Sequence, residues 1–221
     1  VSREDQEFMI LESRFLEKPA FAVEQGRNAA KHMEQDSRKI LDIALGLIYS
    51  YSDEQAERVQ KLESKIDRYE DELGTYLVKL NNKDLSERDS HSVSIMLHCI
   101  GDFERISDHA VNIMESAQEL HEKNISFSPQ ARNELQVLVA VVSRIVDTAY
   151  QVFDRQDLNL VSDVEPLEEI VDELSKELKR RHVNRLRLGE CTIEMGFILT
   201  DLITSLERIA DHCSNISVCV T

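Results

Sequence analysis

The amino-acid sequence predicts an all-α protein, built as two tandem three-helix bundles from six long antiparallel helices. Two observations predict this fold class. Apolar residues recur at helical spacing along nearly the whole chain, and no stretch alternates for long enough to form a sheet. The 221 residues also include only 6 Gly and 3 Pro, the two residue types that most strongly interrupt helices.

Start and stop signals divide the first half of the chain into three predicted helices. The first runs from about Pro19 to Tyr51, and the second starts at Ser52, where Ser-Asp-Glu-Gln has the form of a capping box. The second helix fades near residues 81–82, and the third runs over about 86–123. Because the connections are short, we expect neighbouring helices to pack antiparallel.

Three further helices are predicted in the second half. Ser128 followed by Pro129 is a typical helix start, with proline at the first helical position, and this fourth helix ends near Asp157. A second capping box, Ser162 to Glu165, opens the fifth helix, which ends around Gly189. The sixth helix runs from there to the end of the chain.

The second half of the sequence repeats the first. Residues 102–113 align with residues 205–216 at an offset of 103, and seven of the twelve positions are identical. Matching positions also occur earlier in each copy at an offset of 105, so the connecting loops differ by two residues. We therefore expect a junction or linker over 1–23, a first repeat over 24–124 and a second repeat over 125–221.

The charge of the chain limits its partners. Asp and Glu number 42 against 26 Lys and Arg, which gives a formal net charge of −16. A surface this negative repels phosphate backbones, so we expect no nucleic-acid partner. The local exception is a basic run over 176–187, which is typical of a solvated helix face.

The sequence also bears on the compartment. The four cysteines form no Cys-x-x-Cys pair, as expected for reduced thiols in a cytosol: Cys99, Cys191, Cys213 and Cys219. The longest unbroken apolar run, 137–142, is far shorter than the roughly 20 residues of a membrane span. We therefore expect a soluble chain and, because it begins at Val1 and shows no signal peptide, a fragment of a longer protein.

Paired carboxylates mark corresponding places in the two repeats. Each Glu-x-x-x-Asp pair places two carboxylates one turn apart on one helix face, where oxygen-seeking cations can bind between them. The candidate metal ligands are Glu63, Asp67, Glu104 and Asp108 in the first repeat, and Glu168, Asp172, Glu207 and Asp211 in the second. Two alternatives stay open: a solvated acidic face, or neutralisation by the neighbouring Arg105 and Arg208.

No catalytic constellation is visible. Carboxylate-bridged oxidases use Glu-x-x-His, whereas His109 and His212 lie five residues after their glutamates and are rotated away from them. We expect these histidines to pack or to cap. The sequence contains no Gly-rich phosphate loop, nucleotide fingerprint or Ser/His/Asp arrangement, so we expect no enzyme activity and no organic cofactor. A carboxylate-bridged di-metal enzyme and a pure helical scaffold are the disfavoured alternatives.

Both Glu-Arg-Ile-x-Asp-His-x-x-Asn-Ile stretches resemble the most recognisable segment of the PhoU family. The resemblance to this family as a whole covers about residues 30–220. The resemblance implies a two-repeat helical regulator of bacterial phosphate uptake. It also implies binding of divalent or trivalent metal ions (Fe, Zn, Mn or Mg) through the eight carboxylates named above.

A second resemblance concerns the start of the chain. Residues 15–26, Phe-Leu-Glu-Lys-Pro-Ala-Phe-Ala-Val-Glu-Gln-Gly, resemble the junction after the membrane domain of bacterial sodium/phosphate cotransporters. This implies a regulatory tail on the cytoplasmic face of the inner membrane. Its partners would be the N-terminal transmembrane domain of the same chain and a second copy of the tail. The alternative is a free-standing PhoU-type adaptor that binds a sensor kinase or a transporter ATPase.

Overall fold

The computed structural model describes all residues, 1–221, and is entirely helical. Six long helices confirm the predicted fold class, and a short helix precedes them. The helices are α1 (Arg3–Phe8), α2 (Pro19–Leu47), α3 (Asp53–Asn81), α4 (Glu87–Glu122), α5 (Pro129–Arg155), α6 (Leu158–Arg187) and α7 (Ile193–Val220). Single 3₁₀ turns at Met9–Leu11 and Ser13–Glu17 connect α1 to α2.

Hydroxyl caps fix most of the helix starts. Ser52 Oγ accepts a hydrogen bond from the backbone N–H of Gln55, and Ser128 Oγ accepts one from Ala131. These bonds satisfy amide donors that the first helical turn leaves without partners. The two starts predicted at these serines are therefore confirmed.

The predicted start of the fifth helix at Ser162 is wrong. The helix, α6, begins at Leu158, because Asp157 caps it by accepting from the backbone N–H of Asn159. Ser162 Oγ instead donates to the carbonyl of Asn159 inside the helix. Packing of Leu160 and Val161 on the core favours the added turn, which leaves Pro166 in the helix interior.

The first 18 residues fold onto the bundle and do not form an extended linker. The Phe8 ring contacts the Tyr69 ring of α3 at 4.3 Å between centroids, and the Arg68 guanidinium lies 4.1 Å from the Phe8 centroid. Glu7 accepts a hydrogen bond from the Tyr69 hydroxyl and pairs with Lys65 at 2.9 Å. The short helix α1 was not predicted, because six residues are too few for a clear helical period.

The long helices pack in two groups of three that share one seam. Helices α2, α3 and α4 contact each other, as do α5, α6 and α7, and α4 packs along α7. The two seam helices run antiparallel, since Lys123 at the end of α4 pairs with Glu194 at the start of α7 at 2.6 Å. The apolar core continues across the groups: Phe103 of α4 contacts the rings of Tyr150 and Phe153 on α5 at 5.2 and 5.0 Å.

Helix α5 alone has the length and composition of a membrane span, with a mean hydropathy of 1.3 in its most apolar 18-residue window. In this fold its apolar face packs on α6 and α7, and 44% of that window is buried. Its hydropathy is therefore accounted for by its place in the core.

Candidate metal centre in two unequal carboxylate clusters

The carboxylates predicted in the first repeat meet between α3 and α4. Oxygen atoms of Glu63, Asp67 and Asp108 lie within 4.8 Å of one another, and so do those of Asp67, Glu70 and Glu104. We call these five residues the first carboxylate cluster. It forms because each Glu-x-x-x-Asp pair occupies one helix face, and the two faces meet at the contact between α3 and α4.

No basic side chain lies at ion-pairing distance from the first cluster. None of its five carboxylates forms an ion pair within 4.0 Å, and Arg105 forms none either. Partial burial, followed by the hydrogen bond and charge of Asp67, raises the pKa of Glu63 to about 7. Burial and then Asp108 raise the pKa of Glu104 to about 8. Near neutral pH, shared protons therefore relieve the repulsion between these carboxylates.

The predicted carboxylates of the second repeat meet between α6 and α7, but one of them is paired with a lysine. This second carboxylate cluster consists of Glu168, Asp172, Glu207 and Asp211. Burial, followed by a hydrogen bond to Glu168, raises the pKa of Asp211 to about 6. Lys179 of α6, however, places its Nζ 2.7 Å from Glu207, so a cation of the protein already occupies part of this cluster.

The two clusters differ in how well they suit a metal ion. The first offers two sets of three oxygen donors within 4.8 Å, the donor type that Mg²⁺, Mn²⁺ and iron ions accept. The second contains no such set of three, and Lys179 would have to leave Glu207 before an ion could use that carboxylate. The residues of the first cluster therefore fit a metal, and those of the second fit one only after rearrangement.

Two residues of these clusters, Glu70 and Lys179, were not predicted from the sequence. Glu70 lies three residues after Asp67, on the same helix face, so its spacing was an available signal that the acidic background obscured. Lys179 carried no such signal, because its partner Glu207 lies on another helix. The alternative in which Arg105 and Arg208 neutralise the carboxylates is not observed, since neither forms an ion pair within 4.0 Å.

The histidines of the repeated motif lie at the seam between α4 and α7. The rings of His109 and His212 stack with centroids 5.5 Å apart, which confirms that they pack. His212 Nδ1–H donates to Asp102 at 3.0 Å, whereas the buried Nδ1 of His109 has no hydrogen-bond partner. Burial and then the charge of His212 lower the pKa of His109 to about 4, so it is neutral at pH 7. Neither histidine belongs to a carboxylate cluster.

The family model for the PhoU domain matches the chain twice, over residues 30–117 and 135–220. The chain belongs to the PhoU family. Each match covers one group of three long helices, including the helices that carry its carboxylate pairs.

Curated relatives agree with this family. The chain is 30% identical over 115 residues to phosphate-specific transport system accessory protein PhoU homolog 1 of Thermotoga maritima. That match covers 52% of this chain and 49% of the Thermotoga protein, so it spans about half the relative's length. A PhoU homolog of Deinococcus radiodurans is 22% identical over 194 residues, covering 86% of this chain and 88% of that protein.

Solved PhoU structures share the fold. The crystal structure of PhoU from Pseudomonas aeruginosa superposes with a TM-score of 0.83 at 24% identity, covering 90% of this chain and 95% of that one. The phosphate transport system regulatory protein PhoU from Streptococcus pneumoniae gives 0.80 at 17% identity, with 92% and 95% covered. None of these four proteins is named as a sodium/phosphate cotransporter, so the predicted family is confirmed and the predicted transporter tail stays a prediction.

Proposed function

We propose that this protein is a PhoU-type accessory regulator of phosphate transport that acts in the cytoplasm by binding partner proteins and a metal ion. The observation that carries the proposal is the double family match, which includes both carboxylate-bearing helix pairs. The curated relatives are named as transport accessory proteins, which favours a free-standing adaptor over the other functions weighed. Its partners would be a sensor kinase or a transporter ATPase, and a second copy of the chain.

The first carboxylate cluster gives this regulator a means of responding to a cation. When both are ionised, two carboxylates 4 Å apart repel by about 4 kcal/mol at an effective dielectric constant of about 20, and a divalent cation that replaces the bound proton between them makes the interaction attractive. A cation held by Glu63, Asp67 and Asp108 would therefore strengthen the contact between α3 and α4. Because α4 also packs along α7, a change at this contact would bear on both groups of helices.

The metal part of the proposal is tested by thermal unfolding. We expect Mn²⁺, Fe²⁺ or Zn²⁺ to raise the melting temperature with increasing concentration, while Na⁺ at matched ionic strength raises it much less. In a variant with Glu104, Asp108, Glu207 and Asp211 all replaced by their amides, the increase should disappear. If that variant responds to metal as the parent does, these carboxylates are not the metal site, and the protein is an adaptor that acts through its surfaces alone.

The regulatory part is tested in cells. Deleting the gene should change the rate of phosphate uptake and its response to external phosphate, and the parent gene should restore both. If uptake is the same with and without the gene, the proposal is wrong. Gene neighbours and proteins that co-purify with the tagged chain would then identify another transport system or none.

A second candidate, the tail of a sodium/phosphate cotransporter, is favoured by the junction segment 15–26. In the structure this segment passes through the turn Ser13–Glu17 directly into α2, with Pro19 at its first position, so movement of a preceding domain would reach the bundle. An antibody against the chain separates the candidates. A tail would be detected in membranes, on a polypeptide large enough to include a transmembrane domain beside these 25.4 kDa, and an adaptor in the soluble fraction.

A further inference from the structure

A basic cleft lies between the beginnings of α2 and α4 and the end of α5. Its volume is about 430 Å³. Its basic, imidazole and hydroxyl groups come from three helices: Arg27, Lys31, Arg88, His91, Ser92 and Arg155. Only two carboxylates, Glu24 and Asp154, line it. In a chain with a net charge of −16, four Lys and Arg side chains around one cavity reverse the general charge of the surface.

Both carboxylates of the basic cleft are already paired. Glu24 accepts from Arg27 Nη1 at 2.6 Å, and Asp154 lies 3.5 Å from Lys31. Arg88 and Arg155 have no hydrogen-bond partner and no carboxylate within 4.0 Å, although acidic residues outnumber basic ones in the chain. Two guanidinium groups therefore border the cleft with their donors free.

The inner part of the cleft is held in place before any ligand arrives. Arg27 Nη2 donates to Ser92 Oγ at 3.0 Å, and its other terminal nitrogen is held by Glu24. Ser92 is 6% exposed, and since its oxygen accepts from Arg27, its own O–H is left to donate. A fixed guanidinium beside a free hydroxyl is an arrangement that stabilises an oxyanion.

We propose that the basic cleft binds a phosphoryl oxyanion, either inorganic phosphate or the phosphate group of a small phosphomonoester. This proposal rests on the proposed function for the choice of phosphate among oxyanions. Arg88 and Arg155 would bind the outer oxygens through paired N–H donors, and Ser92 would donate to an inner one. The volume falls within the range of small-ligand pockets, and the net charge of −16 on the whole chain disfavours a polynucleotide.

Binding there would connect the two groups of helices. Arg27 and Arg88 belong to α2 and α4, whereas Arg155 ends α5. A bound oxyanion would therefore bring together cations of both groups, and its loss would leave them to repel each other. The ligand would thus stabilise the packing of α5 beside α2 and α4 that the structure shows.

Isothermal titration calorimetry at constant ionic strength tests the cleft, with inorganic phosphate and glycerol 3-phosphate as separate titrants. We expect the parent to bind and the Arg88→Gln/Arg155→Gln variant to bind about tenfold more weakly or worse, since two charge-assisted contacts are lost. Arg58→Gln/Arg187→Gln, at exposed arginines outside the cleft, makes the same change in net charge and should stay within about twofold of the parent.

The two titrants distinguish the possible ligands. Tighter binding of glycerol 3-phosphate indicates a phosphomonoester, and tighter binding of inorganic phosphate indicates free phosphate. Equal affinity of the parent and the cleft variant, or no heat with either titrant, overturns the proposal. Circular dichroism excludes unfolding as the cause of lost binding. If neither titrant binds but gene deletion clearly changes phosphate uptake, the cleft is not an oxyanion site and the proposed function still stands.

Discussion

The two carboxylate clusters come from the same spacing of residues, yet only the first lacks a cation of its own. The difference traces to one position on the first of the two helices that form each cluster. At an offset of 105, Gly74 of α3 corresponds to Lys179 of α6, and only the lysine reaches the opposite helix, where it pairs with Glu207. A repeated motif therefore fixes where carboxylates meet, while a neighbouring residue decides what neutralises them.

A similar difference separates the two histidines at the seam. His212 has Asp102 as its partner, but the position equivalent to Asp102 in the second repeat is Ser205, so His109 has none. Since the equivalent histidines stack on each other, an approximate two-fold axis passes between them, and contacts should occur in equivalent pairs. One substitution thus separates a histidine that is hydrogen-bonded to a carboxylate from one whose Nδ1 has no partner.

The largest expected effect is loss of metal from the first cluster. Glu104→Ala/Asp108→Ala removes two donors from α4 and should weaken Mn²⁺ binding at this cluster by about 100-fold or more, since the remaining donors all come from α3. Glu207→Ala/Asp211→Ala should change total metal content less, because Lys179 already neutralises Glu207. Elemental analysis of each variant, purified without chelator, measures the metal bound per chain. Equal losses of metal in the two variants would contradict the inequality of the clusters.

A reciprocal exchange tests the role of position 74/179 directly. Lys179→Ala should strengthen Mn²⁺ binding at the second cluster by about tenfold, and Gly74→Lys should weaken it at the first by a similar factor, because one charge is removed or added. A Cβ at Gly74 would meet only Ile100 at 3.6 Å, an ordinary contact, so the backbone accepts a side chain at this position. Competition with a fluorescent chelator measures both affinities, and unchanged values would show that position 74/179 does not control the clusters.

The stability of metal-free protein should depend on pH through the first cluster. Folding raises the pKa of Glu104 from 4.5 to about 8, so between these values the folded state binds more protons than the unfolded state. Stability should therefore fall as pH rises through this window. Glu104→Gln should remove part of the fall and raise the melting temperature at pH 8 by ~3 °C.

The matched control is Glu207→Gln. It breaks the contact with Lys179, so we expect no gain in melting temperature at pH 8. Differential scanning calorimetry with EDTA present, between pH 5 and 8, compares the variants. A gain as large for Glu207→Gln as for Glu104→Gln would show that the lysine is not what distinguishes the clusters.

The smallest expected effect concerns the seam. Folding lowers the pKa of His109 from 6.5 to about 4, so the unfolded state binds more protons in between and stability falls as pH drops through that window. Ser205→Asp would give His109 the partner that His212 has, raise its pKa and reduce this loss. NMR titration of the His109 ring measures the pKa, and an unshifted value would argue against the approximate two-fold.

The sequence predicted those features that depend on neighbours along one helix. Helical period and hydroxyl caps gave the six long helices, and Glu-x-x-x-Asp spacing gave eight of the nine clustered carboxylates. The start of α6 was misplaced because Asp157 and Ser162 both satisfy the rules for a cap, and only packing of the turn between them selects Asp157.

Features that depend on contacts between helices were not predictable. Lys179 meets a residue 28 positions away, and the basic cleft joins Arg27, Arg88 and Arg155 from three helices. Nothing in the local sequence of any of these residues distinguishes them from solvated charges, since basic residues on helices of an acidic protein are common. Their significance lies only in what the fold places beside them.

The two repeats pack through the antiparallel α4 and α7 as the two subunits of a homodimer would, but they are joined in one chain. In a homodimer every substitution appears on both sides of the axis, so Lys179 or Asp102 could not exist without its copy opposite. Joining two copies in a single gene removes that constraint. Each half can then diverge one residue at a time, so that the carboxylates of one cluster have no cation of the protein beside them while Lys179 pairs with Glu207 in the other.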